Sequence, residues 1–275
     1  MNGFGDRIAA AVAARESQLL LGLDPPSAVA AEGRLVAWCG RLIDAAGPAC
    51  VGVKLQLACF ERAGAAGWEA YEAVAARASA EGLIVIADAK RGDVDVSAAA
   101  YADAFLRAPI DAMTVNPMLG GDSLAPMLQV AADGDRGLFA LLLTSNPGAA
   151  DLQDLRLADG RAWHIALAEM VATLGGPSVG ASGLSSLGAV VGATVPERVT
   201  ALRDAMPAQV LLMPGVGAQG GSVDHLGPAF GGRAAGVLVP VSRSIARAPD
   251  PAAVAEGLRR DLWATWLAVA PPSTP

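Results

Sequence analysis

Six consecutive residues concentrate charge in a way that could do chemistry. Asp88, Ala89, Lys90, Arg91, Gly92 and Asp93 spell D-A-K-R-G-D and follow directly on the apolar run Leu83, Ile84, Val85, Ile86, Ala87. A short β-branched run bounded by polar residues reads as a buried parallel strand. Side chains alternate on an extended chain, so Asp88 and Lys90 project the same way. Arg91 and Gly92 then interrupt the strand and let Asp93 project from a loop. Two acids and an amine are thus gathered at the C-terminal end of a core strand, where α/β folds keep their chemistry. A plain salt bridge at a strand end is the simpler alternative, and isolated acid–base pairs usually are no more than that. The dense spacing and the strand-end location favour catalysis.

A scaffold has to hold these residues, and the apolar pattern indicates which. Short apolar runs fall at 19–23, 50–55, 83–87, 112–115, 138–143, 187–191, 210–213 and 236–239. Each is followed by a longer, alanine-rich segment of helical period, at 35–46, 67–80, 97–106, 123–132, 161–174, 196–205, 221–230 and 251–268. Eight β/α units in 275 residues predict a (β/α)₈ barrel, a single domain spanning 1–275 with a frayed tail over 270–275. A doubly wound open sheet is the alternative, because alternation alone does not show closure. An amphipathic helix is expected within residues 1–18, and the Gly- and Ser-rich stretch 175–186 reads as a loop before the sixth strand.

In a barrel the loops after the strands converge on one face, and seven strand ends here are polar or glycine-rich. The first ends in Asp24-Pro25-Pro26, and the second carries Lys54 in V-K-L-Q. The third is the charged segment above. The fourth runs T-V-N-P-M-L-G-G-D-S over 114–123, and the fifth T-S-N-P-G over 144–148. The seventh runs P-G-V-G-A-Q-G-G over 214–221, and the eighth P-V-S-R-S over 240–244. Singly, each has a plain explanation: Asp24 as a turn former, Lys54 as a lysine reaching water, the Asn-Pro pairs as turns. Together they point to a ligand site. Gly-rich backbone at 215–221 offers N–H donors, Gln219 an amide and Arg243 a charged fork, which suits phosphate between the loops after strands seven and eight.

Composition narrows the classes. Hydrophobic residues are 53% and charged residues 17%, which fits a large buried core. A net charge of −7 argues against nucleic acid or an anionic membrane as partner. Cys39, Cys50 and Cys59 lack metal-ligand spacing and read as reduced thiols of a cytoplasmic protein. His164 and His225 sit near no second ligand, so no metal is expected. No signal peptide is evident, and no uncharged stretch is long enough to span a bilayer.

Taken together, D-A-K-R-G-D, V-K-L-Q, T-V-N-P-M-L-G-G-D-S, T-S-N-P-G and P-G-V-G-A-Q-G-G resemble the orotidine 5′-phosphate decarboxylase family, most closely its longer bacterial subgroup. The resemblance runs over about residues 22–243. The D-x-K-x-x-D core alone is shared with sugar-phosphate decarboxylases and synthases; the five segments together are far more specific. The resemblance implies a homodimer of (β/α)₈ barrels that turns orotidine 5′-monophosphate into UMP and CO₂ without metal or cofactor. It implies that Lys54, Asp88, Lys90 and Asp93 form the catalytic array, with Asp93 entering the partner subunit's site. It further implies Lys90 as proton donor to C6, Asp24 and Lys54 at the ribose hydroxyls, Ser97 at a ribose contact, Ser145 at the pyrimidine, and Gln219 and Arg243 at the phosphate. Val94 stands where the family usually has isoleucine, and Asp95 adds a negative charge beside the shared site. Two rivals remain: a metal-assisted sugar-phosphate enzyme, which would want an acid where Lys54 stands, and a non-catalytic nucleotide-binding protein.

Overall fold

In a computed structural model, which describes residues 3–193, 196–217 and 220–272, eight parallel strands close into one barrel in chain order. They are β1 (Leu19–Leu23), β2 (Gly52–Gln56), β3 (Ile84–Arg91), β4 (Ala112–Val115), β5 (Gly137–Leu143), β6 (Leu187–Val191), β7 (Leu211–Leu212) and β8 (Val237–Val241). Closure is made by β8 on β1, with Leu19, Leu20 and Leu21 opposite Val239, Pro240 and Val241. The main helices are α1 (Phe4–Arg15), α2 (Leu35–Ala46), α3 (Gly64–Ala80), α4 (Asp95–Phe105), α5 (Gly121–Asp133), α6 (Trp163–Gly175), α7 (Pro196–Ala205) and α8 (Pro251–Val269). The open-sheet alternative is set aside by the closed strand order.

Apolar residues on both faces of each strand serve two different layers. Leu19, Leu21 and Leu23 of β1 face the helices, while Leu20 faces the barrel interior with Ile86, Phe139, Leu212 and Leu238. The interior layer also takes in Phe4, Ile8 and Val12, so α1 stoppers the N-terminal end of the barrel. The Phe4 and Phe139 rings meet edge to face with centroids 6.0 Å apart. Gly137 opens β5 beside them, and a Cβ there would lie 1.9 Å from the Phe4 ring. Asp111 ties the stopper down: its carboxylate accepts from Arg7 Nη1 at 2.7 Å, Arg136 Nη1 at 3.2 Å and the Val85 amide at 2.8 Å. With one mouth closed, a ligand can enter only through the other.

Three elements differ most from the sequence expectation. β3 runs on to Arg91 rather than stopping at Ala87, because Asp88 still pairs with Gln56 and Arg91 with Val115. The strand pattern there is polar because the chain faces the open mouth. β7 shrinks to two residues. The crossover after it is a 3₁₀ segment, Val223–Phe230, in which Pro228 withholds an N–H and left-handed Gly231 ends the run. Arg203 of α7 takes up carbonyls on both sides of β7, donating to Met206 and Gln209 before it and to Ala229 and Gly236 after it at 2.7 to 2.9 Å. Its burial pushes its pKa down to about 10.

Candidate active site

At the open mouth lies a cavity of about 340 Å³, reached by the ends of most strands. Its floor is set by alternation and register. On β2, Val53 and Leu55 point outward to the helices, so Lys54 and Gln56 point inward. Parallel pairing sets Gln56 beside Asp88, which places the β2 and β3 side chains shoulder to shoulder.

Asp88 is the hub. Lys54 Nζ donates to its Oδ2, with Gln56 Nε2 at 3.3 Å from the same oxygen. Lys90 Nζ donates to its Oδ1 at 2.5 Å, and the Thr114 hydroxyl donates to that oxygen at 3.0 Å. Burial alone would raise the carboxyl's pKa; the ammonium groups of Lys54 and then Lys90 overturn this and hold it at about 2. For Lys54, burial opposes charge, yet Asp88 and then Asp24 more than offset it and raise its pKa. The two lysines differ in access: the Lys54 side chain is 10% exposed, the Lys90 side chain 44%. Lys90 is therefore the more accessible of the two to a ligand.

Lys90 also has an unusual backbone. Its φ is +52°, in the left-handed region, at a register shift in the β3–β4 pairing. The Lys90 amide donates to Thr114 Oγ1 at 2.9 Å, so β4 holds this conformation in place.

The opposite end of the cavity is built by two loops. Gly215 and Gly217 have φ of +111° and +80°, and the loop closes on itself through Gly217 N to Gly221 O at 3.0 Å. A Cβ on Gly217 would lie 3.0 Å from Ser244 Oγ, so the loop after β7 packs directly against the turn after β8. Arg243 begins that turn and lines the cavity with Ser242 and Ser244. Along one side runs the wall Thr144, Ser145 and Asn146, and near the floor stands Asp24, whose Oδ1 is buried without a hydrogen-bond partner.

Of the residues singled out in the sequence, Asp24, Lys54, Asp88, Lys90, Ser145 and Arg243 come together around this one cavity. Asp93 and Ser97 do not line it. Asp93 turns back to accept from the Val94 amide at 2.8 Å, and Ser97 lies exposed in the first turn of α4. Gln219 lies outside the described residues. Gln56 and Thr114 contribute to the hub without having been singled out. Gln56 could have been found from V-K-L-Q, since it shares the inward side with Lys54; Thr114 opens the quoted T-V-N-P segment, but its bond to Asp88 depends on strand register.

Exposed apolar residues flank Asp93, with the exposed Asp95 among them. Val94, Val96 and Tyr101 are exposed, Val96 by 82%, and Met118 and Leu119 are exposed on the loop after the neighbouring strand. No helix among the described residues is long and apolar enough to cross a membrane. Cys39 and Cys50 are buried free thiols, each pushed up to about 12 by burial.

Comparison with known proteins places the chain in a family. The model of the family described as orotidine 5′-phosphate decarboxylase / HUMPS matches residues 17–258. A Rhodopirellula baltica protein named orotidine 5′-phosphate decarboxylase is 45% identical over 216 residues, covering 76% of this chain and 71% of its own. The solved structure of Leishmania donovani OMP decarboxylase superposes with a TM-score of 0.81 at 36% identity, over 96% of this chain and 98% of that one. Leishmania donovani UMP synthase gives 0.83 at 37% identity over 96% of this chain, which spans only 57% of that longer protein.

Proposed function

The chain belongs to the orotidine 5′-phosphate decarboxylase / HUMPS family and is a decarboxylase of pyrimidine biosynthesis, and within that identity we propose that Lys90 is the proton donor. The observation that carries this reading is the Lys54–Asp88–Lys90 array on the cavity floor, with the more accessible ammonium facing the open space.

Decarboxylation of orotidine 5′-monophosphate breaks the bond between C6 and the carboxylate carbon. CO₂ leaves, and the electron pair stays on an sp² carbon with no adjacent sink. A fixed cation beside C6 stabilises that charge in the transition state. Lys90 then gives its proton to C6, yielding UMP, and recovers a proton from solvent. Asp88 lies close to the departing carboxylate, and its four donors keep it ionised and immobile in that position.

The remaining roles follow the cavity's length. Asp24 Oδ1, buried and unpartnered, suits a ribose hydroxyl as donor, with Lys54 beside it. Ser145 meets the pyrimidine from the side wall. Arg243, Gln219 and the glycine-rich backbone hold the phosphate, far from C6, so that its binding energy orients the ring. Asp93 and Ser97 belong to a partner's site across a two-fold axis. The exposed apolar residues around Asp93 support a homodimer there, since Val94, Val96, Met118 and Leu119 gain burial only from a second chain. The free thiols are in keeping with a reduced cytoplasmic setting.

A metal-assisted sugar-phosphate reaction is disfavoured by position 54, where an ammonium bonds Asp88 in place of the acid such a reaction would want. The test is loss of orotate ultraviolet absorbance when the protein is added to orotidine 5′-monophosphate in excess chelator. We expect turnover with chelator present, abolished in Lys90→Ala while UMP still binds. No absorbance change with the native protein would favour a non-catalytic nucleotide binder. Near-normal turnover in Lys90→Ala would remove the proton-donor assignment.

A further inference from the structure

We propose that Gln153, outside the cavity, is a positioning residue that sets the pyrimidine-facing wall through the backbone of Thr144. The inference rests on the reading that Ser145 meets the base.

β5 ends at Leu143, and the next three residues, Thr144, Ser145 and Asn146, form the cavity's side wall. A strand end leaves its next amide without a ladder partner. Here that amide is claimed from outside the sheet: Thr144 N donates to Gln153 Oε1 at 2.8 Å. The other end of the same amide, Gln153 Nε2, donates to Thr144 Oγ1 at 2.9 Å. Thr144 Oγ1 in turn donates to Asn146 Oδ1 at 2.7 Å. One side-chain amide thus fixes both the backbone and the side-chain rotamer of Thr144, and through that rotamer the side chain of Asn146.

Gln153 is itself anchored. It ends a short helix, Ala150–Gln153, and its carbonyl accepts from His164 Nδ1 at 2.6 Å. A carbonyl accepts only, so the Nδ1–H tautomer of His164 makes this bond. His164 is buried in the first turn of α6. On the other flank, a Cβ on Gly192 would lie 3.2 Å from Ser145 Cα and Cβ. Ser145 therefore sits between the Gly192 backbone, close enough that a side chain there would crowd it, and the Gln153 clamp on its neighbour.

A glutamine is the side chain this task needs. It must accept from an N–H and offer a donor to an oxygen whose own proton is already committed to Asn146. Glutamate keeps the acceptor but has no N–H to offer, and alanine keeps neither.

The test separates base binding from phosphate binding. UMP and ribose 5-phosphate affinities are measured by calorimetry for the native protein and for Gln153→Ala, Gln153→Glu and Ser145→Ala, with melting temperatures beside them. Gln153→Ala should weaken UMP about tenfold, equivalent to about 1.4 kcal/mol, and leave ribose 5-phosphate within about twofold. Gln153→Glu should recover part of the loss, and kcat in Gln153→Ala should fall more than melting temperature accounts for. If Ser145→Ala loses UMP selectively and Gln153→Ala does not, the positioning role is overturned while the base-contact reading stands. If neither variant is selective, the base-contact reading itself fails, and the inference falls with it. An equal loss of both ligands in Gln153→Ala, with a lowered melting temperature, makes Gln153 a purely structural residue.

Discussion

Replacing Asp88 by asparagine keeps the shape of the hub and removes its charge, which isolates the electrostatics. The carboxyl's pKa is held at about 2 against an ordinary 3.8, and at about 1.4 kcal/mol per pH unit that gap stabilises the fold by about 2 kcal/mol. The asparagine also strands the Lys54 ammonium, which is buried and has Asp88 as its principal counter-charge. Uncompensated buried charges cost about 3–5 kcal/mol. Because asparagine can still accept from Thr114, we expect about 3 kcal/mol, a fall in melting temperature of about 6–12 °C at this chain length. Lys54→Met alone leaves Asp88 with Lys90, Gln56 and Thr114 and should cost about 1–2 kcal/mol. The double variant strands no charge, so its cost should fall about 2 kcal/mol short of the sum of the single costs.

The pH dependence has a definite sign. Asp88 is depressed in the folded chain, so the unfolded chain takes up its proton first as pH falls. The advantage of the native protein over Asp88→Asn should be full above the unfolded value, near pH 4, and should drop by about 1 kcal/mol at pH 3. Urea denaturation of the four proteins, followed by tryptophan fluorescence from pH 7 to pH 3, measures both effects. Additivity within about 0.5 kcal/mol, or a native advantage that grows on acidification, would refute the charge argument.

Arg243→Ala should weaken UMP by about 1.5–3 kcal/mol, the range for a charge-assisted contact, and leave uridine nearly unchanged; equal losses in calorimetry would place the phosphate elsewhere. Asp93→Ala and Lys90→Ala, each nearly inactive, should on subunit exchange recover roughly a quarter of native activity, because about half the dimers are mixed and one of their two sites is intact. Exchange confirmed by native mass spectrometry with no recovery would put Asp93 in its own chain's site. Asp111→Ala leaves Arg7, Arg136 and the Val85 amide without their acceptor and should destabilise the fold by about 2–4 kcal/mol. UMP affinity should not change, since α1 closes the far end of the barrel; a parallel loss of affinity would contradict that separation.

The β/α alternation was legible because parallel strands buried on both faces leave short apolar runs, whereas closure was not, since an open sheet leaves the same runs. Residues 19–23, 112–115 and 187–191 were read to their observed limits for this reason. β3 was cut short at Ala87 because its last four residues face the mouth, where apolar patterning ends although pairing continues. The crossover at 223–230 looked helical because its apolar residues recur at helical spacing, and period alone does not separate an α-helix from 3₁₀ turns interrupted by Pro228. Charged cavity residues announced themselves by type. Gln56, Thr114 and Gln153 did not, because neutral amides and hydroxyls are common everywhere and acquire meaning only from their neighbours. For Gln153 the neighbour is Thr144, nine residues earlier and at the end of a strand, a meeting set by how the intervening helical turn folds back.

Thr114 shows how the fold turns a charged cluster into a preorganised one. Its Oγ1 accepts from the Lys90 amide and donates to Asp88 Oδ1, the same oxygen that Lys90 Nζ reaches. Lys90 is thus fixed to Asp88 twice, once through its side chain and once through its backbone by way of β4. The left-handed backbone at Lys90 would relax if that amide were free, since a non-glycine residue there carries strain of order 1 kcal/mol. A flexible four-carbon side chain ordinarily spreads its ammonium over several positions. Here both ends of the residue are hydrogen-bonded, which narrows where the cation can sit before any ligand arrives. Electrostatic stabilisation of a carbanion demands that condition, because a cation that must first be ordered spends part of its effect on the ordering.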